Sequence, residues 1–166
     1  MSVATVGYVS YKESVAKAFD AIDASARLAK ESAILIKPNL VNADPHPVTT
    51  PAACCEAIIE YVSRCSRAEI IIAEGTGDAS RETDAIFELL GYNKLASRLG
   101  ISLVDLNAEP LRKLENRHCP MFPEMYLPEI AFNHFIISAP VLKAHSLANI
   151  TGTLKNMMGF APPKYY

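Results

Sequence analysis

The chain has 166 residues, half of them apolar and a fifth charged, with a formal net charge of −2. That is ordinary globular composition, and the mixed signs leave no basic footprint for nucleic acid or an anionic membrane. No apolar run approaches the roughly 20 residues of a membrane-spanning helix, and Met1 to Val9 lacks the basic-then-apolar order of a secretory signal. A single α/β domain over residues 1–166, located in the cytoplasm, is therefore expected.

Taken in chain order, Thr5–Val9 reads as a first strand. Ser10 and Glu13 have capping-box spacing. Val15, Ala18, Phe19, Ile22, Ala26 and Ala29 then recur at helical spacing as one buried face. Ala33–Ile36 is a short, continuously apolar run, as expected of a strand covered on both faces. A proline-rich loop over residues 37–50 leads to a helix, with Thr50 as its N-cap and Pro51 just inside it. Ala53, Cys54, Ala57, Ile58, Tyr61, Val62 and Cys65 form that helix's inner stripe. Glu69–Ala73 is the next strand, Thr83–Leu90 a helix stopped by Gly91, and a short helix from Tyr92 ends at Gly100. Ile101–Val104 is the fourth strand. Alternation of this kind implies right-handed crossovers and a mostly parallel sheet with helices on both faces, a Rossmann-like three-layer α/β fold.

Four prolines then break the rhythm between Asp105 and Asn133, where a hairpin or an excursion over the sheet edge is expected. His134–Ser138 reads as a buried strand, residues 140–150 as loop, and Thr151–Met158 as the start of a helix. The four cysteines (Cys54, Cys55, Cys65 and Cys119) have no C-x-x-C spacing, so no zinc or iron–sulfur site is assigned within the chain. In the cytoplasm they stay reduced. Cys54 and Cys65 read as core residues, and Cys119, beside Arg117 and His118, as a loop thiol.

In an open parallel sheet, ligands bind outside the carboxyl ends of the strands. Three segments carry polar residues to that edge. In the first, Lys37, Asn39, Thr49 and Thr50 offer an ammonium, an amide and a helix start to an anion; a capped helix with a snorkelling lysine is the plainer alternative. In the second, Glu74-Gly75-Thr76-Gly77-Asp78 is not G-x-G-x-x-G, and its leading acid would repel phosphate. Glu74 suits a general-base or metal-ligand role better, while the glycines would serve a tight turn. In the third, Lys143 and His145 lie two apart in extended chain and share a side, with Lys155 and Asn156 following in a helix. A lysine beside a histidine suits acid–base chemistry or anion binding. His46 and His118 read as loop residues and His134 as strand packing.

The same segments carry a resemblance to a known family. Ile-Lys-Pro-Asn-Leu-Val (36–41), Thr-Thr-Pro (49–51), Ala-Glu-Gly (73–75), Gly-Tyr (91–92) and Leu-Val-Asp-Leu (103–106) occur in order. Ala-Pro-Val-Leu-Lys-Ala-His (139–145) and Thr-Leu-Lys-Asn-Met-Met-Gly (153–159) follow them. As an ordered set they resemble the N-terminal part of the domain of unknown function 362 family. The resemblance implies an α/β fold and directs attention to Lys37, Asn39, Glu74, Lys143, His145, Lys155 and Asn156, without an established reaction. It also implies that such chains continue into further α/β sequence, sometimes with a ferredoxin-like iron–sulfur module, so the chain is expected to be truncated at its C-terminus or to be the N-terminal part of a larger domain. A fainter similarity runs to the N-terminal part of nickel-pincer lactate racemases, in the Pro-Asn and Thr-x-Pro region.

The expectation carried forward is an α/β protein that binds an anionic small molecule or cofactor of unknown identity at the strands' carboxyl edge, in some settings as part of an enzyme. In that picture Glu74, Lys143 and His145 are catalytic, and Lys37, Asn39, Thr49, Thr50, Gly75, Lys155 and Asn156 bind the ligand, with no metal. The alternative is a non-catalytic scaffold that docks a second copy or an iron–sulfur partner module, with an apolar patch around Met157, Met158 and Phe160.

Overall fold

The computed structural model describes residues 2–146 and 148–162. Met1, Leu147 and residues 163–166, which hold most of the closing Pro-Pro-Lys-Tyr-Tyr segment, lie outside the described residues.

Helix α1 spans Tyr11–Ala21, and its Ser10 cap is realised: the Glu13 N–H donates to Ser10 Oγ at 3.2 Å. The expected strand over Thr5–Val9 does not form. Residues 2–9 make no ladder; the segment is tied instead to the start of α1, where the Val9 N–H donates to Ser14 Oγ at 3.0 Å. β-Branched residues favour extended chain, but a strand also needs an edge to pair with, and both edges of the next strand are taken by others. The single helix expected through Ala29 is broken at Asp23 (φ 54°), a left-handed residue that aspartate tolerates, and a short α2 follows over Ala24–Leu28.

β1 (Ala33–Pro38), α3 (Ala52–Cys65), β2 (Glu69–Glu74), α4 (Thr83–Leu89), α5 (Tyr92–Leu99) and β3 (Ser102–Asp105) then alternate. Gly91 (φ 79°) and Gly100 (φ 65°) bracket α5 in left-handed conformations that an L side chain would strain. The proline-rich stretch is a hairpin, β4 (Leu111–Glu115) with β5 (Glu124–Pro128), followed by a 3-10 turn over Glu129–Phe132. β6 (Phe135–Ala139) returns to the sheet. The expected loop after it holds a second hairpin, β7 (Lys143–His145) with β8 (Asn149–Thr151). Strands of three residues are too short for any periodicity to show. α6 (Thr153–Asn156) and a 3-10 turn (Met157–Phe160) follow.

The main sheet is four-stranded and parallel, in the order β3-β2-β1-β6, and flanked by helices as a Rossmann-like three-layer α/β fold. The chain steps from β1 to β2 to β3 in one direction, then crosses to the far side of β1 for β6. The switch point therefore lies between the ends of β1 and β6, where loops diverge and a cleft opens. Strand alternation sorts the core. Ile34, Ile36 and Ile72 face the thick helical layer with Ile58, Val62 and Tyr92. Leu35, Ile71 and Ala73 face a thinner layer that includes Leu106, Leu127 and Phe160. Lys37 follows Leu35 at a spacing of two and shares that second face.

Within α3 the buried residues are Cys55, Ala57, Ile58, Ile59, Tyr61 and Val62, so the helix is rotated slightly from the expected stripe, with Ala53 exposed and Cys54 and Cys65 half-buried. The segment is apolar on most sides, and packing against the sheet chooses among nearly equal faces. Cys55 Sγ lies 3.6 Å from the Tyr92 hydroxyl, and burial pushes its thiol pKa up to about 12. At pH 8 only about one molecule in ten thousand would carry this thiolate, which is the reactive form. Maleimide labelling of native protein at pH 8, read by peptide mass spectrometry, is therefore expected to modify Cys119 and spare Cys55 until the chain is unfolded.

Candidate functional site

β1 and β2 are neighbours in the sheet, and each ends on a charged or polar group at the carboxyl edge. Lys37 is 1% exposed and Glu74 2%. Lys37 Nζ donates to Glu74 Oε1 at 2.5 Å, to the Pro38 carbonyl at 3.2 Å and to Asn156 Oδ1 at 3.4 Å. An ammonium has three protons, so these contacts account for all of its donors. Glu74 accepts further: the Gly75 N–H reaches Oε1 at 3.0 Å and the Leu40 N–H reaches Oε2 at 2.8 Å. Asn156 closes the knot from α6, its Nδ2 donating to the Lys37 carbonyl at 3.2 Å and to Ser138 Oγ at 3.0 Å. One side chain thereby bridges the ends of β1 and β6 at the switch point.

The turn after α6 passes directly over this pair. A Cβ on Gly159 would lie 2.5 Å from Lys37 Nζ and 2.7 Å from Glu74 Oε1, so only glycine permits that approach. The Phe160 ring sits beneath the ammonium, 5.8 Å from Nζ to its centroid. Gly75 is equally confined, since its Cβ would meet Asn107 Oδ1 at 2.6 Å. Asn107 holds the neighbouring turn by donating from Nδ2 to the Thr76 carbonyl at 3.0 Å.

A cleft of about 140 Å³ opens beside the pair, near the volume that holds a benzene-sized guest. Among the expected site residues, Lys37, Asn39, Glu74, Gly75, Lys155 and Asn156 all line it. Glu74 is the one acidic residue among the described residues of its wall, and it is occupied by Lys37. Lys155 makes no ion pair or hydrogen bond with another described residue. The Asn39 side-chain oxygen is buried without a hydrogen-bond partner among the described residues.

The other expected residues lie elsewhere. Thr50 is not the cap of α3, because Pro51 occupies that position. Its hydroxyl accepts from the Asn39 N–H at 3.0 Å and donates to the Ala139 carbonyl at 2.7 Å, tying the continuations of β1 and β6 together behind the cleft. Tyr92 donates to the Thr50 carbonyl at 2.8 Å. Buried Thr49 donates to the Asp44 carbonyl at 2.5 Å. Lys143 and His145 stand on the β7–β8 hairpin, outside the cleft wall among the described residues. The Lys143 ammonium donates to the Val48 carbonyl. Its pKa is lowered, first by burial and then by the nearby positive charge of Lys155. His145 Nδ1 receives the Ala148 N–H at 3.2 Å. No group of three or more His, Cys, Asp or Glu side chains among the described residues is placed to hold a metal ion.

Ser138 and Asn107 belong to the site without standing out in the sequence. Gly159 stands in the Thr-Leu-Lys-Asn-Met-Met-Gly segment, but nothing local says that its missing Cβ matters.

The family profile described as domain of unknown function (DUF362) matches residues 34–166, which include all but the first residue of β1, with β2, α6 and every residue of the knot. The chain belongs to the domain of unknown function 362 family. Searches among curated proteins and among solved structures returned no match.

Removing one member of a buried pair leaves the other charge uncompensated, at a cost of about 3–5 kcal/mol. Glu74→Gln is expected to lower Tm by roughly 6–20 °C for a chain of this size. Lys37→Met combined with Glu74→Gln should lose less than the sum of the two single changes, by about 1–3 kcal/mol in urea denaturation. Additive losses would show that the two side chains do not act as a pair.

Proposed function

We propose that this protein binds a small anionic molecule or cofactor in the cleft at the carboxyl edge of β1 and β2, as the binding step of an enzymatic reaction. The observation that carries this reading is the charge balance of the wall. Lys37 is neutralised by Glu74, which leaves Lys155 as a cation with no carboxylate partner among the described residues. A cleft with one uncompensated ammonium and low-dielectric walls concentrates anions. Lys143, whose pKa is lowered first by burial and then by the positive charge of Lys155, adds a second cation near the first.

In this reading the Lys37–Glu74–Asn156 knot is a frame that fixes the cleft, since its donors and acceptors are already engaged. Lys155 pairs with the anion. The Asn39 amide, whose oxygen has no partner among the described residues, adds a neutral polar contact. Lys143 and His145 stand on the adjoining hairpin, from which a proton could reach a ligand longer than the cleft. The reading places the protein in the cytoplasm, a setting supported by its free cysteines. No helix among the described residues is long and apolar enough to cross a membrane.

A second reading, a partner-docking domain, is favoured by one observation. Leu142, Ile150 and Leu154 are exposed on the β7–β8 hairpin and α6. Cross-strand pairing of Ala144 with Ile150 puts Leu142, Ala144 and Ile150 on one outer face. Phe160, expected in such a patch, is instead buried beneath Lys37.

Calorimetric titration with inorganic phosphate and with acetate separates the two readings. Saturable binding to wild type, weakened at least about tenfold by Lys155→Ala, a loss of roughly 1.4 kcal/mol, is the expected result. Equal binding by both proteins, or none by either, removes the anion reading. The same variant is expected to raise the Lys143 pKa without restoring its ordinary value, because burial, the larger cause, remains. NMR titration of the Lys143 side chain reads this shift.

A further inference from the structure

The cleft beside the Lys37–Glu74 pair is small for a specific ligand. Its volume of about 140 Å³ falls below the range of roughly 300–1,000 Å³ usual for small-molecule sites. A second cavity, of about 350 Å³, adjoins it along the loop from β2 to α4. Thr76 and Gly77 belong to the walls of both. The Thr76 side chain does not stand between them: the residue is buried, and its hydroxyl donates to the Val41 carbonyl at 3.1 Å. Gly77 has no side chain to stand there.

Packing accounts for glycine at 75 and at 159, where a Cβ would collide with neighbouring atoms. It does not account for glycine at 77. A Cβ there would meet Val41 Cγ2 at 4.0 Å, an ordinary contact, and no other atom within that distance. The Gly77 φ also lies outside the left-handed region, where an L side chain would be strained. Folding therefore tolerates a side chain at 77. What its absence provides is exposed, bare backbone where the two cavities meet.

The second cavity is walled mainly by polar side chains, among them Asp78, Ser80, Arg81 and Glu82. Asp78 is already engaged, accepting from the Ser80 N–H at 2.8 Å, the Ser80 hydroxyl at 2.6 Å and Arg81 at 3.3 Å. Glu82 is exposed, and its carboxylate neither caps α4 nor pairs with a cation among the described residues. Arg81 directs Nη1 to Asp78 and Ser80 and retains other N–H groups of its five. Two carboxylates against one guanidinium disfavour a second anionic group in this cavity. A free acceptor next to free donors suits hydroxyl groups, which do both; an ammonium can only donate.

We infer, building on the anion-binding reading above, that the ligand is a hydroxylated anion of the sugar-phosphate class. Its charged group pairs with Lys155 in the small cleft, and its hydroxylated portion passes over Gly77 to hydrogen-bond Glu82 and Arg81. A site that meets ligand hydroxyls with otherwise unpaired polar groups discriminates strongly against analogues that lack them.

The test is calorimetric titration of the full chain with inorganic phosphate, glycerol 3-phosphate and glucose 6-phosphate, with phosphoethanolamine as the amine-bearing control. At least one hydroxylated ester is expected to bind wild type at least about tenfold more tightly than phosphate does. Gly77→Val is expected to keep the wild-type Tm and phosphate affinity and to lose that gain. Glu82→Ala, at an exposed position whose side chain makes no capping bond, is expected to lower the gain by at least about threefold. It decides the matter if Gly77→Val melts early. Equal binding of phosphate and both esters overturns the inference and leaves the anion reading standing. A gain that survives undiminished in either folded variant also overturns it, as does tighter binding of phosphoethanolamine than of either ester. No binding by any of the four removes the anion reading, and this inference with it.

Discussion

The arrangement of the cleft depends on the buried ion pair between Lys37 and Glu74. Taking two charges out of water costs several kcal/mol for each ion, and their attraction recovers this only when the remaining donors and acceptors are also met. Here they are met. Lys37 reaches Glu74, Pro38 and Asn156, and Glu74 receives two backbone N–H groups as well as the ammonium. A buried pair of this kind adds little net stability over an apolar one, but it restricts which arrangements satisfy it. In this protein, one arrangement of β1, β2, the Leu40 turn and α6 does so.

That restriction gives the cleft its character. Because Glu74 is engaged by Lys37, the wall retains the charge of Lys155 and offers no free carboxylate among its described residues. Because Gly159 and Phe160 lie against the pair, the thin layer of the fold is locked to the sheet at its carboxyl edge. The geometry therefore assigns separate tasks to residues that look alike in sequence. Lys37 is half of a buried ion pair, Lys155 is a half-buried cation with no ion-pair partner among the described residues, and Lys143 is half-buried on a neighbouring hairpin.

A second set of polar ties reinforces the switch point from behind. Thr50 joins the Asn39 N–H to the Ala139 carbonyl, and Tyr92 reaches across from α5 to the Thr50 carbonyl. Burial raises the pKa of the Tyr92 hydroxyl well above its ordinary value, with a smaller contribution from Cys55, so this group remains a neutral donor. These bonds hold the ends of β1 and β6 at a fixed spacing, and Asn156 inserts between them. The cleft floor is thus braced on two sides by neutral hydrogen bonds and at its centre by charge.

The sequence by itself determined the alternation of strands and helices from β1 to β3, the capping of α1 by Ser10 and the glycines bracketing α5, and it left a hairpin as one of two options among the prolines. These are local matters of period, cap and turn chemistry, and each can be read within a few residues. It also brought forward Lys37, Asn39, Glu74, Lys155 and Asn156, because polar residues directly after buried runs must emerge at the sheet's edge. Tertiary structure alone decided the rest. Thr5–Val9 has strand-like residues but no strand beside it, and α3 is apolar on enough sides that only packing selects Cys55 over Cys54. Whether Lys37 is a free cation or half of an ion pair depends on Glu74, 37 residues away, and on Asn156, 119 residues away. The need for glycine at 159 arises only because the folded chain brings that backbone onto the pair. A local pattern carries no record of a partner that distant, since the contact exists only once the sheet order is set.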